Sequence, residues 1–141
     1  MYQAIVFLPI IASVIAGLFG RIIGARPSEL ITTGALFVSA ALSAYVFYDV
    51  CFLGHSAIVT VAPWIHSGTF VADWTIRVDA LTAVMLIVVT GVSSLVHLYS
   101  IGYMADDDSR ARFFSFLSLF TFAMLMLVTA NNFLQMFFGW E

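Results

Sequence analysis

Residues 80–104 read ALTAVMLIVVTGVSSLVHLYSIGYM, with no Asp, Glu, Lys or Arg among them and a single histidine, His97. As a helix rising about 1.5 Å per residue, such a stretch is long enough to cross the roughly 30 Å of hydrocarbon in a bilayer. The rest of the chain has the same texture. Apolar residues make up 62% of the 141 and charged ones 9%, whereas a soluble domain carries about a quarter charged and just under half apolar. A water-facing surface built from this composition would be mostly hydrocarbon. The chain reads as an all-α membrane protein.

Further spans lie on both sides of that stretch, as uncharged runs between charged punctuation. Ala4 to Gly20 is closed by Arg21 and Arg26, and contains Pro9, which a helix inside a bundle tolerates. The N-terminus has no positive leader and no A-x-A site follows, so this run is expected to be a retained span rather than a signal peptide. Leu30 to Tyr48 ends near Asp49, and its Gly34, Ser39, Ala40, Ala41, Ser43 and Ala44 suit close helix contact. Phe113 to Ala130 is rich in phenylalanine, and its Phe and Met side chains suit lipid contact and packing. Helices are therefore expected at about 2–22, 29–52, 79–104 and 112–130, with the start of a fifth at 132–141.

Between the second and third helices the period changes. Phe70, Ala72, Trp74, Ile76 and Val78 alternate with Val71, Asp73, Thr75 and Arg77, the pattern of a half-buried strand. Ile58 to Val61 is also rich in β-branched residues, and Pro63 to Thr69 is the expected turn. A short extracytoplasmic β-hairpin is predicted at about 57–78, lying on the membrane surface, with an irregular loop as the alternative. Arg21, Arg26, Arg110 and Arg112 fall in loops on one side, against Arg77 alone on the hairpin side. The positive-inside rule then puts the N-terminus and the hairpin outside.

Other chemistry is excluded by counting. Five arginines, no lysine and eight carboxylates give a net charge of −3, which offers no basic patch for nucleic acid and no polybasic surface for anionic lipid. Cys51 is the single cysteine, so the chain alone forms no intrachain disulfide, zinc cluster or iron–sulfur site. No Walker loop, GxGxxG, nucleophile elbow or CxxC is present, so no nucleotide or cofactor site is argued from this chain. Asp106-Asp107-Asp108 reads as a solvated turn or a helix cap rather than a metal site.

Glu141 is the informative residue. With a helix starting near Asn132, it lies roughly 14 Å down the axis, close to mid-membrane. A carboxylate at that depth is costly and marks a proton or ion path by default; the alternative is a neutral acid that only bonds helices together. A chain ending there would leave carbonyls unpaired in hydrocarbon, so the helix is expected to continue and the sequence to be a piece of something longer. His97 fits either a proton relay or a buried neutral histidine. Asp79, opening the third helix, reads as a structural cap, with Arg77 beside it, and Asp49 as a solvated interfacial group.

Taken together, Arg77-Val78-Asp79-Ala80-Leu81-Thr82, His97-Leu98-Tyr99-Ser100-Ile101-Gly102-Tyr103-Met104, Arg112-Phe113-Phe114 and Phe138-Gly139-Trp140-Glu141 resemble the N-terminal part of subunit L of respiratory complex I, NADH:quinone oxidoreductase, counterpart of mitochondrial subunit 5. The resemblance implies the opening helices of an antiporter-like bundle, with an outer β-hairpin and the remainder of the subunit missing. It implies proton translocation coupled to electron transfer from NADH to quinone, with Glu141 in a buried relay that includes a lysine on a later helix. It assigns no role to His97. No cofactor is implied in this chain; NAD, FMN, iron–sulfur clusters and quinone belong to other subunits. The implied partners are other complex I membrane-arm subunits and the lipid bilayer of a bacterial plasma membrane or mitochondrial inner membrane, and not nucleic acid. A large subunit of a multisubunit cation/proton antiporter and a structural membrane module with a neutral Glu141 are the alternatives.

Overall fold

A helix in hydrocarbon must satisfy its backbone internally, and association between helices comes from close packing and buried polar contacts. The computed structural model, covering residues 1–141, follows that logic. Its elements run α1 (Tyr2–Ile23), α2 (Ala25–Leu53), β1 (Ala57–Ser67), β2 (Phe70–Val78), α3 (Ala80–Tyr103), α4 (Arg110–Val128) and α5 (Phe133–Trp140). The first four helices are each long and apolar enough to cross a membrane. Large apolar side chains such as Leu18, Ile22, Leu95, Tyr99, Phe116 and Phe120 point outward, while Ser13, Ser39, Ser43, Thr90, Ser94, His97 and Ser118 are buried between helices. This is a multi-pass membrane protein.

α1 packs on α2 and α4, α2 also on α3, and α5 on α4. The seam between α1 and α4 is narrow. A Cβ added at Gly17 would stand 2.6 Å from Ser115 Oγ, and one at Gly20 2.8 Å from the Ala111 Cβ. The Ser13 and Ser115 hydroxyls each donate to the other residue's backbone carbonyl, at 2.7 and 2.8 Å. Of the small residues expected to bring α2 close to a neighbour, Ser39 and Ser43 are buried, whereas Ala41 and Ala44 are exposed and Gly34 faces open space.

Gly24, with φ at +94°, is the whole connection between α1 and α2. α2 therefore begins four residues ahead of the expected 29. Charged residues were expected to mark a loop, but Pro27 falls in the first helical turn, where a missing N–H does no harm.

The hairpin is antiparallel, from Ala57 opposite Val78 to Ser67 opposite Phe70. The turn is tighter than expected. Only Gly68, at φ +60°, and Thr69 lie between the strands, and Pro63 sits inside β1, where the register shifts between Ala62 and Ile65. A bulged stretch is where a strand accommodates a residue lacking an N–H. Ile76 and Val78 join Ile5, Val6, Val46, Val50, Leu86, Phe122, Leu125 and Met126 in the apolar core, which thus occupies the hairpin end of the bundle.

Candidate functional site

α5 begins where Asn132 caps it, its side-chain oxygen accepting from the Gln135 N–H at 2.8 Å. The Asn132 amide also donates to the Asp73 carbonyl at 2.9 Å. Buried Gln135 accepts from the Thr75 N–H at 3.0 Å and donates to the Thr75 carbonyl at 2.7 Å. One turn on, the Phe138 ring meets Trp74 edge-on at 4.8 Å and Trp64 at 6.4 Å. Gly139 lies against the α4 backbone; a Cβ there would come within 2.7 Å of Leu127 N and 2.8 Å of Ala123 O. Only a glycine lets the two backbones approach so closely.

Glu141 follows immediately. It borders an open cleft of about 570 Å³ whose other walls include Phe116, Leu119, Phe120 and Ala123. Those residues lie in the middle of α4, and the cleft also reaches Met124 and Leu127 toward its C-terminal end, so Glu141 lies beside the inner turns of a membrane-length helix. Its side chain lies at the surface of the chain rather than inside the bundle.

His97 is fully buried. Its Nδ1 faces the Ser93 carbonyl at 2.7 Å, and a carbonyl only accepts, so Nδ1 carries a proton. Nε2 lies 3.1 Å from the Ser118 hydroxyl, which donates to it when the ring is neutral. Ser93 Oγ in turn is 3.1 Å from Thr121 Oγ1. His97 and Glu141 therefore both meet the middle of α4, but on different sets of its residues, and no contact joins them.

At the hairpin end Asp79 caps α3, accepting from the Thr82 N–H at 2.9 Å. That bond holds its carboxyl below the usual carboxylate range; burial opposes the shift, and the Arg77 guanidinium 3.2 Å away adds to it. Asp49 meets His55 at 3.0 Å, and Asp73 meets His66 at 2.6 Å. Asp107 accepts from the Ser109 N–H at 2.6 Å in the turn ahead of α4.

Sequence reasoning missed Glu29. It is 3% exposed, and its Oε1 stands 3.1 Å from Arg110 Nη1, tying the start of α2 to the start of α4. The contact is ionic, for that oxygen accepts no well-aligned hydrogen bond. A signal was present in the spacing of positions 28, 29, 32, 33, 36, 39, 43, 46 and 50, a single helical stripe whose first turn contains the glutamate.

Residues 64–114, from β1 into α4, match a family model described as NADH-ubiquinone oxidoreductase (complex I), chain 5 N-terminus. Over its whole length the chain is 52% identical to NADH-ubiquinone oxidoreductase chain 5 of Arabidopsis thaliana and 51% identical to NADH-quinone oxidoreductase subunit L of Rickettsia conorii. Along all of its residues the chain is similar to complex I chain 5/subunit L proteins. It spans about a fifth of those relatives, 21 and 22% of their respective lengths. Within this chain 5 match, the family model covers the hairpin from Trp64 onward, Asp79, His97 and Arg112. Gln135, Gly139 and Glu141 lie beyond it, in the part aligned only with the relatives.

Proposed function

We propose that these residues work in the membrane arm of a proton-translocating NADH:quinone oxidoreductase, with Glu141 as the carboxyl that takes up and releases protons. The observation that carries this reading is the place of Glu141 beside the inner turns of α4, in a chain half identical to complex I subunits. An ionisable group at that depth is costly unless it faces a wet path or a cation. A cation brought beside it would expel its proton, and withdrawing the cation would let it reload, so charge movement can drive proton uptake and release. No lysine is present in these residues, so a lysine facing Glu141 would come from elsewhere in the whole protein or from a neighbouring membrane-arm subunit.

His97 is the second relay group in this reading. Its protonated Nδ1 is held by Ser93, which leaves Nε2 to exchange a proton on the Ser118 side. Asp79 and Arg77 serve structure, as cap and counter-charge of α3. NAD, FMN, iron–sulfur clusters and quinone act in other subunits, and electrons do not pass through this chain. Both arginine pairs, at the helix ends that meet at Gly24 and at the start of α4, belong at one end of the bundle, where Arg21 and Arg112 line one cleft. That end faces the cytoplasm or matrix, and the N-terminus and hairpin face the opposite side of the inner membrane.

The test is Glu141→Gln in the intact complex. Assembly should be normal and proton translocation per electron should fall to a small residue. Wild-type stoichiometry in that variant removes Glu141 from the mechanism.

A further inference from the structure

A two-stranded sheet has two free edges, and a free edge exposes a row of unpaired N–H and C=O groups. The β2 edge is not free. Four of its backbone groups, on alternate residues Asp73, Thr75 and Arg77, are taken by the segment that ends α4 and begins α5. The Arg77 N–H donates to the Thr129 carbonyl at 2.9 Å. Gln135 engages both the N–H and the carbonyl of Thr75, and Asn132 takes the carbonyl of Asp73. The Gln135 carboxamide thus offers one donor and one acceptor to a single residue, the pairing that a neighbouring strand would offer.

The register of α5 against β2 and α4 is set by its tertiary contacts. The edge-on contacts of Phe138 tolerate sliding, whereas two hydrogen bonds from one planar amide fix both height and rotation. A slip of one residue along α5 would move every later side chain by about 1.5 Å and 100°. Glu141 lies six residues beyond Gln135, about 9 Å further along the helix axis.

We propose that Gln135 is a positioning residue for Glu141: by clamping α5 to the backbone of Thr75, it sets the height and rotation at which the carboxyl exchanges its proton. The proposal rests on the reading of Glu141 given above. It also makes the hairpin a gauge for the helix that carries that carboxyl, since Trp64 and Trp74 brace the same helix through Phe138.

The experiment uses the whole complex carrying Gln135→Met, similar in size but without either hydrogen bond, and Gln135→Glu, which keeps the acceptor for the Thr75 N–H. Native gels should show normal assembly of both. In Gln135→Met, proton translocation should fall by up to about a hundredfold, the scale of a misplacement of around an ångström, and its pH profile should shift. Gln135→Glu should recover part of the loss. An assembled Gln135→Met complex with an unmoved pH profile overturns the proposal, whatever its rate. So does failure of both variants to assemble, which assigns the amide to folding alone. Glu141→Gln run in parallel separates the two ideas. If it pumps normally, the reading of Glu141 has failed and the positioning role falls with it. If it does not pump while the Gln135→Met profile stays put, only the positioning role is lost.

Discussion

The Glu29–Arg110 pair shows what one charge does at the end of a membrane helix. Glu29 is buried, and Arg110 keeps part of its side chain exposed. Removing the arginine leaves a buried carboxylate without its counter-charge, and such losses run to about 3–5 kcal/mol. Arg110→Met should therefore lower the thermal unfolding midpoint of the detergent-purified protein. Arg110→Lys should lower it less, because an ammonium supplies charge without the planar fork. An unmoved midpoint in Arg110→Met would show that the pair contributes nothing. His97 is the opposite case at the same scale: both ring nitrogens have partners within the bundle, and no ionic partner is required to keep the ring buried.

At the scale of elements, Gly139 and Gly34 form a natural comparison. A methyl at Gly139 meets backbone atoms of α4, which cannot rotate away, so α5 itself must shift. Overpacking of that kind costs about 1–3 kcal/mol. Gly139→Ala should lower both the unfolding midpoint and proton translocation in the complex. Gly34→Ala meets nothing within 4 Å and, on helix propensity alone, should be neutral or slightly stabilising. Equal behaviour of the two variants would refute the close approach of α5 to α4. The four spans were legible because crossing hydrocarbon demands charge-free length, which the sequence displays directly. The hairpin was legible from alternation at Ala72, Trp74 and Ile76. The start of α2 and Glu29 were not, since treating every charge as a helix boundary hides a charge that a helix has buried. The tight turn is hidden in the sequence because Pro63 reads as a breaker, while a bulge absorbs it. Gln135 and Glu29 share the deeper reason: their partners lie 60 and 81 residues away along the chain, and no local pattern announces such a meeting.

For the whole molecule, the decisive feature is the sorting of hydroxyls and His97 inward and of large apolar side chains outward. The orientation proposed above rests on four arginines at one end against Arg77 at the other. The rule counts arginine and lysine rather than net charge, so Asp106, Asp107 and Asp108 do not cancel it. A cysteine placed at Thr69 in the hairpin turn should react with a membrane-impermeant maleimide only from the outer side, and one at Asp106 only in inverted vesicles. The reverse pattern would turn the topology over. The narrow α1–α4 seam also bears on how the protein is made. Ser13 and Ser115 are 102 residues apart, so at about 5–20 residues per second of synthesis they leave the ribosome roughly 5–20 s apart. During that interval the first helix stands in the bilayer with its glycine flank uncovered, and the seam closes late, sealed by a wall translated long after the one it covers.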